Sequence, residues 1–506
     1  MRRRRFQAVD EGSPPTPRTP HSRPGRRRGR GLGQAAGGID RCFGPVALVR
    51  KLPAYGVPVA PAQTLIVVGA TGDLCGRLLL PALARLYVAD ELPAGFRFVG
   101  AGPQGWDLPT FQDHVRTRLA KFAPDLATDR TDTFVGELSY HHVDVLNPAA
   151  FSDLFEDAAN GASLTVYLAL PTHLIAAAVR AMGLIGRPAS LRVAVEKPFG
   201  SDLKSAEDLN AALARTASDE GHIFRVDHIL GMPTVQALPS TLMRLRPQSG
   251  ASPRPDVTKV SILWEETLAL EGRAAFYDRA GALKDLVQNH LLQILCQVTM
   301  SSSGESTGGD WSRRRLKALR EVQIPTADQA RTTTRRARYT AGTLARTGEA
   351  APVEVPDYTA EEGVDASRQT ETFAEVSLHV QSSEWSNTRF VLRAGKAMGR
   401  RRRGILIQFR QHSHTPGADD LWIDLDEPMA DAEATSDHLA ISSAPLEQIA
   451  YINVLRDLLS GSNTLCVSRE EADLAWQIFT PTLDQWTAGT VPLETYSAGT
   501  TPHTDD

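Results

Sequence analysis

At 506 residues the chain has room for two or three domains and a sizeable core. Its apolar fraction of 42% and charged fraction of 23% are those of an ordinary globular protein, and no apolar run approaches the roughly 18 residues of a membrane span. A formal charge of -4 predicts no nucleic-acid partner for the folded part; four scattered cysteines (Cys42, Cys75, Cys296, Cys466) argue against a disulfide framework or structural zinc and suit a reducing, cytoplasmic setting.

Residues 1–60 carry RRRR near the start and GRRRGRG from Gly25, are rich in Pro, Gly and Arg, and lack apolar periodicity. They predict a disordered basic tail. No apolar stretch follows the arginines, so an export signal is not expected, and a nucleic-acid arm is the lesser reading.

A dinucleotide-binding domain is predicted over 61–227. Leu65 to Val68 is a short apolar run, as a parallel strand buried on both faces requires. GATGDL (Gly69 to Leu74) then makes a tight turn, and Leu78, Leu79, Ala82, Leu83 and Leu86 recur at helical spacing. In a strand–turn–helix context the glycines let the backbone approach a pyrophosphate, and the helix start supplies amide donors. A second strand ends in GAGPQGW. With Pro103 and Gln104 where an acid or an Arg usually marks the ribose, the residues leave NAD and NADP open. Two further buried strands, LTVYLALP (to Pro171) and LRVAVEKPFG (to Gly200), complete a doubly wound, Rossmann-like parallel sheet. Lys197 ends the latter, where ligands of open α/β sheets bind.

From 228 to 490 the character changes. DVTKVSILWEETLAL, TFAEVSLHVQ, TRFVLRAGK, RGILIQFR and DLWIDLD are extended and often alternating, and predict a large, mainly antiparallel sheet with helices: an α/β domain followed by a larger α+β domain. ALKDLVQNHLLQILCQVTM predicts one long helix whose apolar stripe includes His290. Such a histidine is either a satisfied core residue or an acid–base group, if a carboxylate fixes its tautomer; Asp227, at a strand end, is the candidate partner. Ser301 to Asp310 predicts a polar loop, Arg331 to Arg338 a solvated basic surface, Trp476 and Trp486 core positions, and 491–506 a disordered tail.

GATGDL, EKPFG, RVDHILG and YDRAGALKDLVQNHLLQ, in that order, resemble the glucose-6-phosphate dehydrogenase family; TETFAE, RAGK and two late tryptophans extend the likeness over roughly residues 63 to 490. The resemblance implies oxidation of the sugar's C1 hydroxyl to a lactone, the entry to the pentose phosphate pathway, with hydride passing to NADP (NAD possible) and no metal. It implies His290 as general base and Asp227 as its partner. Lys197, His228, Glu266, Asp285, Lys396 and Arg401 would bind the sugar phosphate, and Gly69, Thr71, Gly72, Asp73, Leu74, Pro171 and Lys197 the cofactor. It also implies a homodimer or homotetramer formed through the large sheet.

The chain departs from the family at Leu78, Ile229 and Met232, where a Lys, a Tyr and a Lys are usual, and at Pro103-Gln104, where an Arg marks NADP preference. Each lost charge-assisted donor is worth about 1.5–3 kcal/mol, so a weakened phosphate clamp is expected, and Met232→Lys is expected to lower the KM for the sugar phosphate. A dehydrogenase of another, unphosphorylated sugar and a non-catalytic relative are the alternatives.

Overall fold

The computed structural model describes residues 63–502 except 127–128, 160–162, 186–187, 189, 245–256, 301–310, 346–350, 411–419, 428–440 and 442. These residues belong to one compact unit, Val59–Asp506. The predicted tail 1–60 and the predicted loop 301–310 lie outside the described residues.

Strands β1 (Gln63–Val68), β2 (Arg97–Gly102), β3 (Ser139–His142), β4 (Ser163–Leu168), β5 (Arg192–Glu196) and β6 (Ile223–Val226) pair in parallel in the order β6-β5-β4-β1-β2-β3. All six residues of β1 are buried, and Leu65 to Val68 form its continuous apolar run. The order reverses at β1, so a crevice opens beyond the carboxyl ends of β1 and β4. Gly69, Pro171, Lys197 and Asp227 all lie at or just past carboxyl ends on this edge.

A second sheet takes β7 (Val257–Glu265), β8 (Thr334–Thr340), β11 (Phe373–Leu378), β12 (Arg389–Gly395), β13 (Arg402–Phe409) and β14 (Leu421–Asp424), while β9 (Gly342–Leu344) and β10 (Val353–Val355) form a separate hairpin. Most pairs are antiparallel; β7 and β12 run parallel, which brings Glu266 and Lys396 to the same edge. One continuous core, including Ile66 and Val166 from the first sheet and Val260 and Leu392 from the second, joins the two.

The predicted helix is helical throughout from Ala282 to Thr299, but it opens on a sharp bend and changes form along its length. Gly281 adopts φ 71°, and a Cβ there would lie 2.4 Å from Glu371 Oε1, so only glycine suits the bend. Past it, Leu283–Leu291 is a wide π-turn helix and Leu292–Thr299 an α-helix. π-Segments of this kind gather at functional sites.

The boundary at residue 228 does not hold for the last part of the chain. Helix Leu446–Ser460 packs with the first sheet's core through Tyr451 and Leu455, and β15 (Cys466–Val467) joins β6 antiparallel. The predicted tail 491–506 is likewise ordered in part. β16 (Leu493–Ser497) pairs in parallel with β8, and the Tyr496 hydroxyl donates to Lys396 O at 2.6 Å. Nor is Arg331 to Arg338 simply a solvated run: alternation in β8 buries Arg336, which donates to Val491 O at 2.9 Å. Trp476 and Trp486 are core, as expected, and their indoles donate to Phe199 O and Thr334 Oγ1. Among the described residues, no helix is long and apolar enough to cross a membrane.

Candidate active site

Asp227 is the first residue past β6, and its carboxylate is buried. Its Oδ1 accepts the Ile229 N–H at 3.2 Å, which locks the side chain over the short turn His228–Gly231. His290, on the π-helix, brings Nδ1 to 2.5 Å from the same oxygen, with both side chains at most 3% exposed. The ring N–H is not well aimed at that oxygen, a looseness common where substrate later tightens the geometry. Burial alone would raise the Asp227 pKa, but His290, His228 and Lys197 outweigh it and hold the carboxyl below its usual range. A carboxylate on Nδ1 leaves Nε2 as the basic atom. Ligand-type atoms of Asp227, His228 and His290 lie within 4.8 Å of one another, and in this group Nδ1 of His290 faces Oδ1 of Asp227.

Asp285 stands one π-turn before His290, on the same helix. Its Oδ1 accepts from Lys197 Nζ at 2.8 Å, and its carbonyl accepts from the same ammonium at 2.7 Å. Burial opposes both charges, but each partner outweighs it: the Asp285 pKa falls and that of Lys197 rises. The pair therefore remains ionised at the mouth between the two sheets. Beside it, Glu266 Oε2 accepts from Lys396 Nζ at 2.7 Å and Oε1 from Arg403 Nη2 at 2.6 Å. These two cations overcome burial and hold Glu266 well below the usual carboxylate range.

His228 lies edge-on to His290, with ring centroids 4.7 Å apart, and stacks on Tyr451 at 5.0 Å. Burial, reinforced by His290, pushes its pKa down to about 3, so it is a neutral ring. Arg401 is not in the cluster. Its side chain is 52% exposed and forks onto Asp426 at 2.8 and 2.9 Å. Ile229 and Met232 are 0% and 2% exposed and belong to the core. Met232→Lys would bury an ammonium among apolar side chains. The expectation that it lowers KM therefore gives way to another: a loss of about 3–5 kcal/mol, read as a fall in Tm.

The fingerprint turn is built for close approach. Gly69 has φ 94°, and a Cβ on it would lie 2.3 Å from Ala169 O. Thr71 Oγ1 donates to Gln104 Oε1 at 2.8 Å, so the segment just past β2 is tied to the turn by a neutral bond. Asp73 takes Arg118 at 2.8 Å and Arg77 at 3.4 Å, and Leu74 packs against the first sheet's core. A cavity of about 720 Å³, lined by Pro171, Pro198, Gly200, Arg279, Lys284 and Arg368 among others, opens beside this edge; His290 does not line it. The chemistry is assigned on the Asp227–His290 geometry, and the cavity is the adjoining space at the ends of β4 and β5.

Three residues packed in or beside this cluster were not singled out from the sequence. Arg403 was hidden in RRRR, although the period of two in a strand should have sent alternate arginines to opposite faces. Glu196 and Tyr451 gave no signal. Glu196 accepts the hydroxyls of Tyr167 at 2.5 Å and Tyr451 at 3.0 Å, and burial pushes its pKa up to about 7 in spite of them. A carboxyl whose folded pKa is raised stabilises the fold while protonated, and that contribution is lost as pH rises from about 4.5 to 7. Glu196→Gln, which keeps the acceptor, should raise stability by about 3 kcal/mol at pH 8 and change it little at pH 4. Urea titrations of both proteins at the two pH values check this; an equal effect at each would refute it.

Family models for the glucose-6-phosphate dehydrogenase NAD-binding domain and C-terminal domain match residues 66–237 and 253–505. The chain is 32% identical to a glucose-6-phosphate 1-dehydrogenase of Mycolicibacterium smegmatis, covering 88% of this chain and 94% of that one. It is also 32% identical to the corresponding protein of Rhizobium meliloti, covering 88% and 95%. A solved glucose-6-phosphate dehydrogenase in complex with its substrate glucose-6-phosphate superposes with TM-score 0.70 at 23% identity, covering 88% and 96%. One from Mycobacterium avium gives 0.66 at 25% identity, covering 87% and 95%. The paired domains and the identity across nearly the whole chain settle its kinship: it belongs to the glucose-6-phosphate dehydrogenase family.

Proposed function

We propose that the chain oxidises the C1 hydroxyl of glucose 6-phosphate to the lactone, with NADP as cofactor, and that His290 and Asp227 carry the proton chemistry. The observation that carries the assignment is the 2.5 Å contact between a π-helix imidazole and a strand-end carboxylate, beside the Lys197–Asp285 pair. The glycine at 69, which leaves no room for a Cβ, and the tie from Thr71 to Gln104 fit a dinucleotide laid across the first turn. We assign Gly69, Thr71, Gly72, Asp73 and Leu74 to that cradle, with Pro171 and Lys197 toward the nicotinamide end.

When bound, the nicotinamide supplies the hydride acceptor. The chain's own residues do the rest. His290 Nε2 takes the proton of the C1 hydroxyl, so that the C–O bond can become a carbonyl as the hydride leaves C1. Asp227 fixes the ring and balances the imidazolium charge. Lys197 and Asp285 orient the reacting end of the sugar, while Glu266 and Lys396 hold further hydroxyls.

A second reading, an unphosphorylated sugar, draws support from the apolar, buried Ile229 and Met232. Turnover with glucose 6-phosphate and with glucose, each with NADP and NAD, decides the matter. A high rate and low KM for the phosphorylated sugar support the proposal; activity on glucose alone overturns it. We also propose a cytoplasmic homo-oligomer joined through the second sheet, on the family resemblance; the described cysteines, all free and buried, fit a reducing compartment. Light scattering of the purified protein tests the assembly.

A further inference from the structure

The thinned phosphate clamp raises the question of what meets the sugar's phosphate. Ile229 and Met232 supply no charge, His228 is neutral, and Arg401 is turned outward onto Asp426. Arg403 is placed differently. β13 begins at Arg402, and alternation sends Arg402 to Glu265 on one face and Arg403 inward on the other. The inward guanidinium lies 4.4 Å over the ring of Trp264, whose centroid is 5.7 Å from that of His290. Its side chain is 8% exposed, and its Nε is buried without a hydrogen-bond partner. Nη2 is fixed on Glu266, but Nη1 has only long contacts, 3.5 Å to Glu447 and 3.6 Å to Asp426. Glu447 is one helical turn before Tyr451, the residue stacked on His228. Arg403 thus lies between Glu266 on one side and the helix that carries Tyr451, stacked on His228, on the other.

We infer that Arg403 is the phosphate-recognising residue of this chain, keeping Nη2 on Glu266 while the phosphate dianion replaces Glu447 at Nη1. This rests on glucose 6-phosphate being the substrate. A planar guanidinium, pinned by one carboxylate and by an indole face, is pre-organised for such an exchange. Glu447, 45% exposed on its side chain, is readily rehydrated when displaced.

Steady-state kinetics on the full chain test the assignment. Arg403→Met keeps a stem over Trp264; it should raise the KM for glucose 6-phosphate about 10- to 100-fold, the worth of one or two charge-assisted contacts. It should also weaken competitive inhibition by inorganic phosphate, while the KM for NADP stays unchanged. Glu447→Gln removes the competitor from a half-exposed position and should lower the KM for glucose 6-phosphate severalfold. An unchanged sugar-phosphate KM in Arg403→Met, or parallel losses for sugar and NADP, overturns the inference and marks Arg403 as structural. Should Arg403→Met not fold, an unchanged or raised KM in Glu447→Gln overturns it instead. A wild-type chain active on glucose but not on its phosphate overturns the substrate reading, and this inference falls with it.

Discussion

His290→Asn lowers kcat by about a thousandfold or more, while NADP affinity and Tm remain near their wild-type values. Positioned acid–base groups contribute about 10²- to 10⁴-fold, and the upper part of that range is expected here because the nearest imidazole among the described residues is a poor substitute. His228 is that imidazole, but burial, reinforced by His290, pushes its pKa down to about 3, too weak a base to substitute. Asparagine is chosen because Asp227 is 0% exposed; alanine would leave a buried carboxylate without its main partner and confound chemistry with folding. The side-chain amide can still donate to Oδ1. The proposed cradle, Gly69 to Leu74, belongs to the turn after β1 and not to the helix of His290, so fluorescence titration with NADP should give a nearly unchanged Kd. Retained turnover would remove the proposed base; loss of NADP binding together with Tm would reduce His290 to a core residue.

Much of this arrangement could be read from the residues because its causes are local. Leu65 to Val68 had to be buried on both faces, and GATGDL had to turn there, so β1 and its phosphate turn followed from composition and spacing alone. The helix of His290 was visible by period, but its form was not. A π-turn arises where Gly281 bends the chain against Glu371, and Glu371 Oε1 then accepts the Leu283 N–H at 2.9 Å. That partner is 88 residues distant in sequence. β15 and β16 escaped for a related reason: strands of two and five residues carry almost no periodic signal, and only their pairing with β6 and β8 defines them. The Asp227–His290 pairing was foreseen through resemblance, since nothing in spacing brings those two positions together. Arg401, expected from that same resemblance, is held on Asp426 with a half-exposed side chain. Arg403 was overlooked because a run of four arginines resembles a solvated surface until the pleat divides it.

Gly69→Ala should weaken NADP binding by about a hundredfold or more and lower stability by about 2–6 kcal/mol. Two costs act at one atom. At φ 94° an L side chain is strained by about 1–3 kcal/mol, and a Cβ would lie 2.3 Å from Ala169 O and 3.0 Å from its carbonyl carbon. Both neighbours are main chain, held because Ala169 N donates to Val68 O at 2.9 Å and Gly69 N to Ala101 O at 2.8 Å. Neither can rotate aside, so relief must come from parting β1 and β4 where the order of the sheet reverses. Forced overpacking of this kind costs about 1–3 kcal/mol. A total near 5 kcal/mol is a large part of a domain's usual 5–15 kcal/mol, yet it leaves a folded population to assay. Gly72→Ala is the internal control: its Cβ would approach Gly69 O only to 3.1 Å, and its φ is not in the left-handed region. It should lose far less of both properties. Equal NADP affinity in Gly69→Ala and wild type would show that this turn is merely a tight connection, and the cofactor would have to lie elsewhere along the edge.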